Sequence, residues 1–511
     1  MAEYLSPGVY VEEFSSGIKP MEGVSTSTVG FLGMAQRGPV TGVPEFVGSF
    51  GEFQRIFGGY LPESYGERRF LPLAVEQFFA NGGSRCFVVR LLKEEGAACA
   101  SLQAGDIKFT AANPGSWGNK LSITCVKSPA NPKLYRLTVK VDGESYAENY
   151  QDVSMDTSSK NFIVRLLEKS LLIRGEFTGG ADFDLYGAFQ NGQDSPEAED
   201  QIGKPVILYL KDGKDNSDNP AKDIDAAVLG GEDGGPGKRT GLYALEDVPE
   251  VSIVTAPGVT ESAEVQKIIT HCENMGNRVC ILDMPEGSNK VTELQEYRRN
   301  FSSSYAAIYH PWIQVFDPAQ SKSVYMPPSG AMAGIYARTD NTRGVFKAPA
   351  NEVIRNCTGL QTLFGKPEQD MLNPAGVNLI RNIPGLGIRV WGARTLSDDS
   401  SWKYINVRRL FIYIEETIRR NTAWAVFEPN DQLLWTKVRG SIVSFLSTLW
   451  RDGALFGATE EEAFFVNLGK GSTMTDDDIL NGRLVCVIGV APVRPAEFVI
   501  FRITQMMEQN G

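Results

Sequence analysis

The chain has 511 residues, too many for one ordinary hydrophobic core, so two to four domains are expected. An apolar fraction of 42% and a charged fraction of 22% are those of a folded globular protein, and a net charge of −12 excludes a general nucleic-acid or anionic-membrane binder, which needs a basic face. Seven scattered cysteines, odd in number and without a CxxC pair, argue against a disulfide framework or a thiolate zinc site and point to a reducing compartment. The start MAEYLSPGVYVEE carries acid where a signal peptide needs base, and no run approaches the length of a membrane span, so synthesis and assembly in the cytoplasm are expected.

Residues 1–30 read as an arm: Pro7-Gly8 precedes the β-prone run Val9, Tyr10, Val11, Glu12, Glu13 and Phe14, with no turn leading back to a local partner. Pairing within its own sheet is the ordinary fate of such a strand. Residues 31–92 read as α/β, with a strand at Val29–Ala35, helices at Ser49–Phe57 and Phe70–Ala80, and a buried strand at Cys86–Leu92. Residues 93–200 change to β alternation, with Asp142-Gly143 as a hairpin turn, and predict an inserted β-rich domain. Residues 201–384 predict an α/β middle domain, loop-rich at 201–245. Strand–helix–strand alternation from Val251 to Phe316 implies a parallel sheet with crossover helices. Residues 385–511 predict two amphipathic helices, at Val407–Arg420 and Leu433–Trp450, followed by strands at Leu484–Val490 and Phe498–Ile503. A chain that ends on an apolar strand offers an unpaired edge, and such an edge recruits another chain.

Signals of catalysis are weak. There are two histidines, His271 and His310, and no GxSxG, HExxH or CxxC motif. The stretch GGEDGGPGKRT at 230–240 fails the P-loop pattern at Glu232 and Arg239, and is read as a flexible loop. Asp283 ends a predicted parallel strand, where α/β enzymes place ligands, so an α/β enzyme or nucleotide-binding protein with a site near Asp283 is the alternative reading. A loop-capping role is the blander one. Lys437, Arg439 and Arg451, with Arg408 and Arg409 as second candidates, are cations on the C-terminal helices of an acidic chain, a plausible dock for an acidic partner.

LSPGVYVEE, NPGSWGN, APGVTESAEV with VCILDMP, and the block APVRPAEFVIFRITQ together resemble the sheath subunit of contractile phage tails and related injection systems. The resemblance implies a mixed α/β, multidomain contractile-sheath fold. Its inner domain would combine residues 31–92 with 385–511, and its insertions would project outward. It implies no enzyme activity and no cofactor. Copies would form a homo-polymer, joined by linking strands at Val9, Tyr10, Val11, Glu12 and Phe14 and at Phe498, Val499, Ile500, Phe501 and Ile503. The polymer would surround an inner tube protein in an extended metastable state, with baseplate and tail-terminator or cap proteins at its ends, and would contract to drive the tube through an envelope. The basic helix residues named above become candidate tube contacts. No direct contact with nucleic acid or membrane is implied, and the location is a phage tail or phage-tail-like particle, released outside the cell in some cases. The segment 182–249 does not match closely.

Overall fold

The computed structural model describes residues 20–129, 131–192, 204–217 and 220–500. They fall into two compact units. The larger, here the body, spans Ser25–Thr342 and Ala348–Ile405; the smaller takes Arg343–Lys347, Asn406–Gly511 and the described part of Met1–Val24.

The body opens with β1 (Val29–Gly33), β2 (Glu45–Val47), α1 (Phe50–Phe57), α2 (Leu71–Ala80) and β3 (Cys86–Arg90). Ser49 caps α1 by accepting from Glu52 N–H, and the Glu52 carboxylate accepts in return from Gly48 N–H, which answers two otherwise orphaned donors. Phe53 and Phe57 stack along its buried face. After α2 the chain turns through Gly82 at φ +110°, where a β-carbon would lie 2.8 Å from Arg338 Cβ, so only glycine fits.

An inserted β-rich domain follows: β4 (Ser101–Ala104), β5 (Ile107–Ala111), β6 (Leu121–Lys127), β7 (Leu134–Val141), β8 (Ala147–Ser154), β9 (Ile173–Phe177) and β10 (Val206–Tyr209). These strands make two antiparallel sheets, ordered β10-β6-β7-β8 and β4-β5-β9. Burial alternates along β7, and the two sheets share an apolar core around Phe109, Ile123, Leu137 and Phe189.

The chain then returns to the main sheet through β11 (Ile253–Thr255), α3 (Ser262–Met275), β12 (Val279–Asp283), α4 (Val291–Arg298) and β13 (Ala306–His310). A small antiparallel sheet, β14 (Ile313–Asp317), β15 (Lys322–Met326) and β16 (Gly359–Leu360), surrounds α5 (Ser329–Arg343) in sequence. β17 (Val377–Ile383) and β18 (Gly387–Val390) close the main sheet, whose order is β18-β17-β13-β12-β11-β1-β3-β2. The strands from β17 to β3 run parallel, and the edge strands β18 and β2 run antiparallel. β12 and β13 are buried along their whole length, as a parallel sheet covered on both faces requires.

This topology corrects the domain boundaries read from sequence. Residues 31–92 do not join 385–511: β1 lies between β11 and β3, inside the body's sheet. Residues 385–405 stay in the body as well, because β18 pairs back onto β17. Backbone hydrogen bonding across a parallel sheet unites segments hundreds of residues apart, and periodicity does not reveal that. The insert runs past 200, since β10 pairs with β6, and Lys211 and Lys214 bridge back to Ser101 and Ala98.

The NPGSWGN stretch locks that insert to the body. Arg90, at the end of β3, is buried and donates to Gly38 O and Pro114 O at 3.0 Å. Burial pushes its guanidinium pKa down to about 10. Asn119 and Gly213 exchange two 2.8 Å hydrogen bonds, and the Arg37 guanidinium lies over the Trp117 ring. The 230–240 stretch, read as a flexible loop, is organised by Arg239, which pairs with Asp233 and Asp247 at 2.8 and 2.7 Å.

The smaller unit contains α6 (Ile405–Asn421, from Asn406 onward), α7 (Gln432–Arg451), β19 (Phe464–Leu468) and β20 (Cys486–Val490). Asp431 caps α7 by accepting from Leu434 N–H. Leu410 and Ile414 of α6 pack with Val438, Ile442, Leu446 and Leu449 of α7, and Phe464 and Val466 of β19 join them. The two helices match the sequence reading to within two residues at each end.

Candidate assembly surface

β19 and β20 form an antiparallel sheet of two strands. Ala491 N–H donates to Ala463 O, which sets the alternation: Phe465 with Gly489 and Asn467 with Val487 are the hydrogen-bonded pairs. The main-chain groups of Phe464, Val466 and Leu468 therefore point out from one edge, and those of Cys486, Ile488 and Val490 from the other. Among the described residues no third strand joins either edge. At β19 the Arg439 Nε donates to Val466 O at 3.0 Å, while among the described residues no hydrogen bond reaches the outward main-chain groups of β20.

One face of this small sheet packs on the helices and the other carries Phe465 and Val487, both substantially exposed. Apolar exposure continues nearby in sequence. Phe427 lies between α6 and α7 at φ +67°, a conformation that is strained for a bulky residue, and its side chain is fully exposed. Val426, Leu433, Phe456 and Leu480 are also more than half exposed. Scattered apolar residues are ordinary on a surface, but this many large ones on one small unit marks surface that awaits a partner.

Of the linking residues expected from sequence, Val9, Tyr10, Val11, Glu12, Phe14, Phe501 and Ile503 lie outside the described residues. Phe498, Val499 and Ile500 are 71%, 68% and 78% exposed and belong to no strand of their own chain. The expected closing strand at 498–503 is thus not formed by its described part within the subunit, whereas the expected strand at 484–490 is β20.

The candidate cations separate into two classes. Arg408 and Arg409 are 7% and 4% exposed, so they are not the surface residues that the sequence suggested; the first turns of α6 are buried on every side, which hydrophobic spacing alone did not reveal. Lys437 is half-buried, Arg439 is exposed and holds Val466 O, and Arg451 is exposed with Glu460 at 3.8 Å. Residues two apart on an α-helix sit about 200° apart, so Lys437 and Arg439 flank the buried stripe of α7 on opposite sides. Lys437 and Arg451 share a flank, about 40° apart around the axis and roughly 21 Å apart along it.

The residues of the alternative enzyme reading are spent internally. Asp283 is buried, accepting from Ser329 N–H at 2.9 Å, Ser329 Oγ–H at 2.6 Å and Gly258 N–H at 3.3 Å. It ties the end of β12 to the start of α5, and burial pushes its pKa up to about 7. His310 Nε2–H donates to Ser288 O at 2.8 Å, and His271 Nε2 accepts from Arg278 at 3.3 Å. Burial depresses the two histidines to about 4 and about 3. Among the described residues, no cluster of three or more His, Cys, Asp or Glu is placed to hold a metal, and no helix is long and apolar enough to cross a membrane.

Residues 231–396 match the model of the phage tail sheath protein central domain, and residues 397–506 match that of the phage tail sheath C-terminal domain. The tail sheath protein of Burkholderia phage BcepMu is 26% identical over 483 residues, covering 89% of this chain and 88% of the relative. Two solved structures share the fold. The anti-feeding prophage baseplate gives a TM-score of 0.59 at 24% identity over 99% of this chain and 100% of the other. The sheath complex of an extracellular contractile injection system, in the contracted state, gives 0.58 at 24% identity over the whole of both chains. The two adjoining domain matches cover more than half of the sequence, and with the open-edged sheet and the internally consumed Asp283 they place the chain in the contractile tail sheath family, as a structural subunit and not an enzyme.

Proposed function

We propose that copies of this chain polymerise around an inner tube by lending strands to one another, and that the polymer contracts to drive the tube through a target envelope. The observation that carries this reading is the β19–β20 pair. A lone two-stranded sheet is marginal in water, and among the described residues no further strand joins this one on either side. The arm around Val9–Phe14 and the tail around Phe498–Ile503, each from a neighbouring copy, would complete a four-stranded sheet. Each added main-chain hydrogen bond contributes about 1 kcal/mol net, and side chains on alternate positions give specificity. Such a joint swings without breaking.

Contraction needs no nucleotide on this reading. Its driving force is apolar surface newly buried between copies, at about 25 cal/mol per Å², multiplied along the polymer. The tube contact has to let go, so a charged contact suits it, because water and salt screen charge readily. Lys437 and Arg451, on one flank of α7, are the best-placed candidates, with Arg439 on the other. Baseplate and terminator proteins would cap the ends of the polymer, and the particle would be a phage tail or a phage-tail-like injection system.

Deleting residues 1–14 tests the arm. The expected product is a folded subunit, with an unchanged far-ultraviolet circular dichroism spectrum, that forms no striated tubes or rings under the electron microscope. Normal tubes from that deletion would refute the strand-lending account.

A further inference from the structure

At the end of the main sheet where β13 and β17 begin, α4 and the segments 374–376 and 394–403 enclose a cleft of about 520 Å³. It is cationic in a chain of net charge −12: Arg298, Arg299, Arg394 and Lys403 line it, against Asp398 and Asp399. Both carboxylates have internal tasks. Asp398 pairs with Arg298 Nη2 at 3.4 Å, and Asp399 caps the turn at 400–402 by accepting from Ser401 N–H.

Arg298 is 8% exposed and donates to Phe301 O and Leu396 O, yet its Nε has no hydrogen-bond partner. Gly376, at φ +82°, packs against this part of the lining: a β-carbon there would lie 2.9 Å from Thr395 O and 3.5 Å from Arg298 Nε. An arriving carboxylate would gain charge-assisted hydrogen bonds from the exposed cations of the cleft. Arg299 is exposed and forms no ion pair among the described residues.

We propose that this cleft receives an acidic segment of a second copy, Glu460–Glu462. The inference rests on the polymer reading above. Charge complementarity chooses the occupant. The smaller unit carries two acidic triplets, each with two exposed members and one half-buried. Asp476–Asp478 already has Lys470 and Arg483 as ion-pair partners. In Glu460–Glu462, Glu460 pairs with Arg451 at 3.8 Å, Glu462 accepts from Ala458 N–H at 2.8 Å, and Glu461 is exposed and forms no ion pair among the described residues. The docking is an electrostatic contact separate from the strand joint, and salt screens it.

A charge swap tests it, read as the concentration of purified full-length chain at which sedimentable polymer first appears. Arg299→Glu and Glu461→Arg each raise that concentration about tenfold, with melting temperatures unchanged, and the double variant returns to within about threefold of wild type. The wild-type threshold rises with added sodium chloride more steeply than that of Arg299→Ala. Polymerisation of Arg299→Glu at the wild-type threshold overturns the docking, as does a double variant no better than either single one. If wild type polymerises and only the swap fails, the strand-lending account stands and the docking alone falls; a wild-type chain that stays monomeric sinks both.

Discussion

The body buries its central strands and most of its inward-facing polar groups within one chain. Its eight-stranded sheet is parallel from β17 to β3, β12 and β13 are buried on both faces, and Arg90, Asp283 and His310 each find main-chain partners nearby. The smaller unit, by contrast, has two strands among its described residues, and no further strand joins them there. On the strand-lending proposal, the smaller unit would draw part of its stabilisation from neighbouring copies, whereas the body's burial comes from one chain.

The sharpest way to break this contrast is truncation after Glu497. Loss of 498–511 should abolish sedimentable polymer while leaving the thermal melt nearly unchanged, because the described residues removed touch no strand of their own chain; a large drop in melting temperature would show that the tail completes its own subunit. In the body, Trp312→Ala should cost about 4 kcal/mol in urea unfolding, since the ring is buried against Phe70 and its Nε1–H donates to Met284 O.

A subtler test uses pH. Asp283 has a folded pKa raised to about 7, so its contribution to stability is full below the ordinary carboxylate range and is lost as pH rises through 7. His271 and His310 are depressed to about 3 and about 4, so theirs is present above pH 6.5 and is lost as pH falls. The terms oppose each other between pH 4 and 7. Asp283→Asn removes the first and keeps the second, so the variant should lose stability on acidification more steeply than wild type, by on the order of 3 kcal/mol across that window. Parallel slopes in urea titrations at pH 7 and 4 would show that Asp283 stays ionised when folded.

The smallest expected effect is at Phe427. Its ring buries nothing within the subunit and its backbone is left-handed, so Phe427→Gly should stabilise the isolated chain by about 1 kcal/mol. If polymerisation weakens at the same time, the ring is a contact made only in the assembly.

Much of this was legible in sequence. Apolar periodicity located α6 and α7, and the run from Leu484 to Val490 marked β20. Alternation marked β7, and the NPGSWGN, APGVTESAEV and APVRPAEFVIFRITQ stretches carried the family. Sheet order was not legible, because β1 pairs with β11 over 220 residues away and no local pattern records a long-range partner. Nor was the burial of Arg408 and Arg409, since arginine inside a helix reads as a solvated face until its neighbours are known. The cleft at Arg298 was invisible for a related reason: its four cations come from α4 and from a loop a hundred residues later.

The Arg439 bond to Val466 O makes the two borders of the small sheet unequal. A visiting strand at β20 finds vacant acceptors, but one at β19 must first turn a guanidinium aside. If copies do lend strands, that asymmetry would give a growing lattice a preferred order of attachment, with its two termini elongating at different rates.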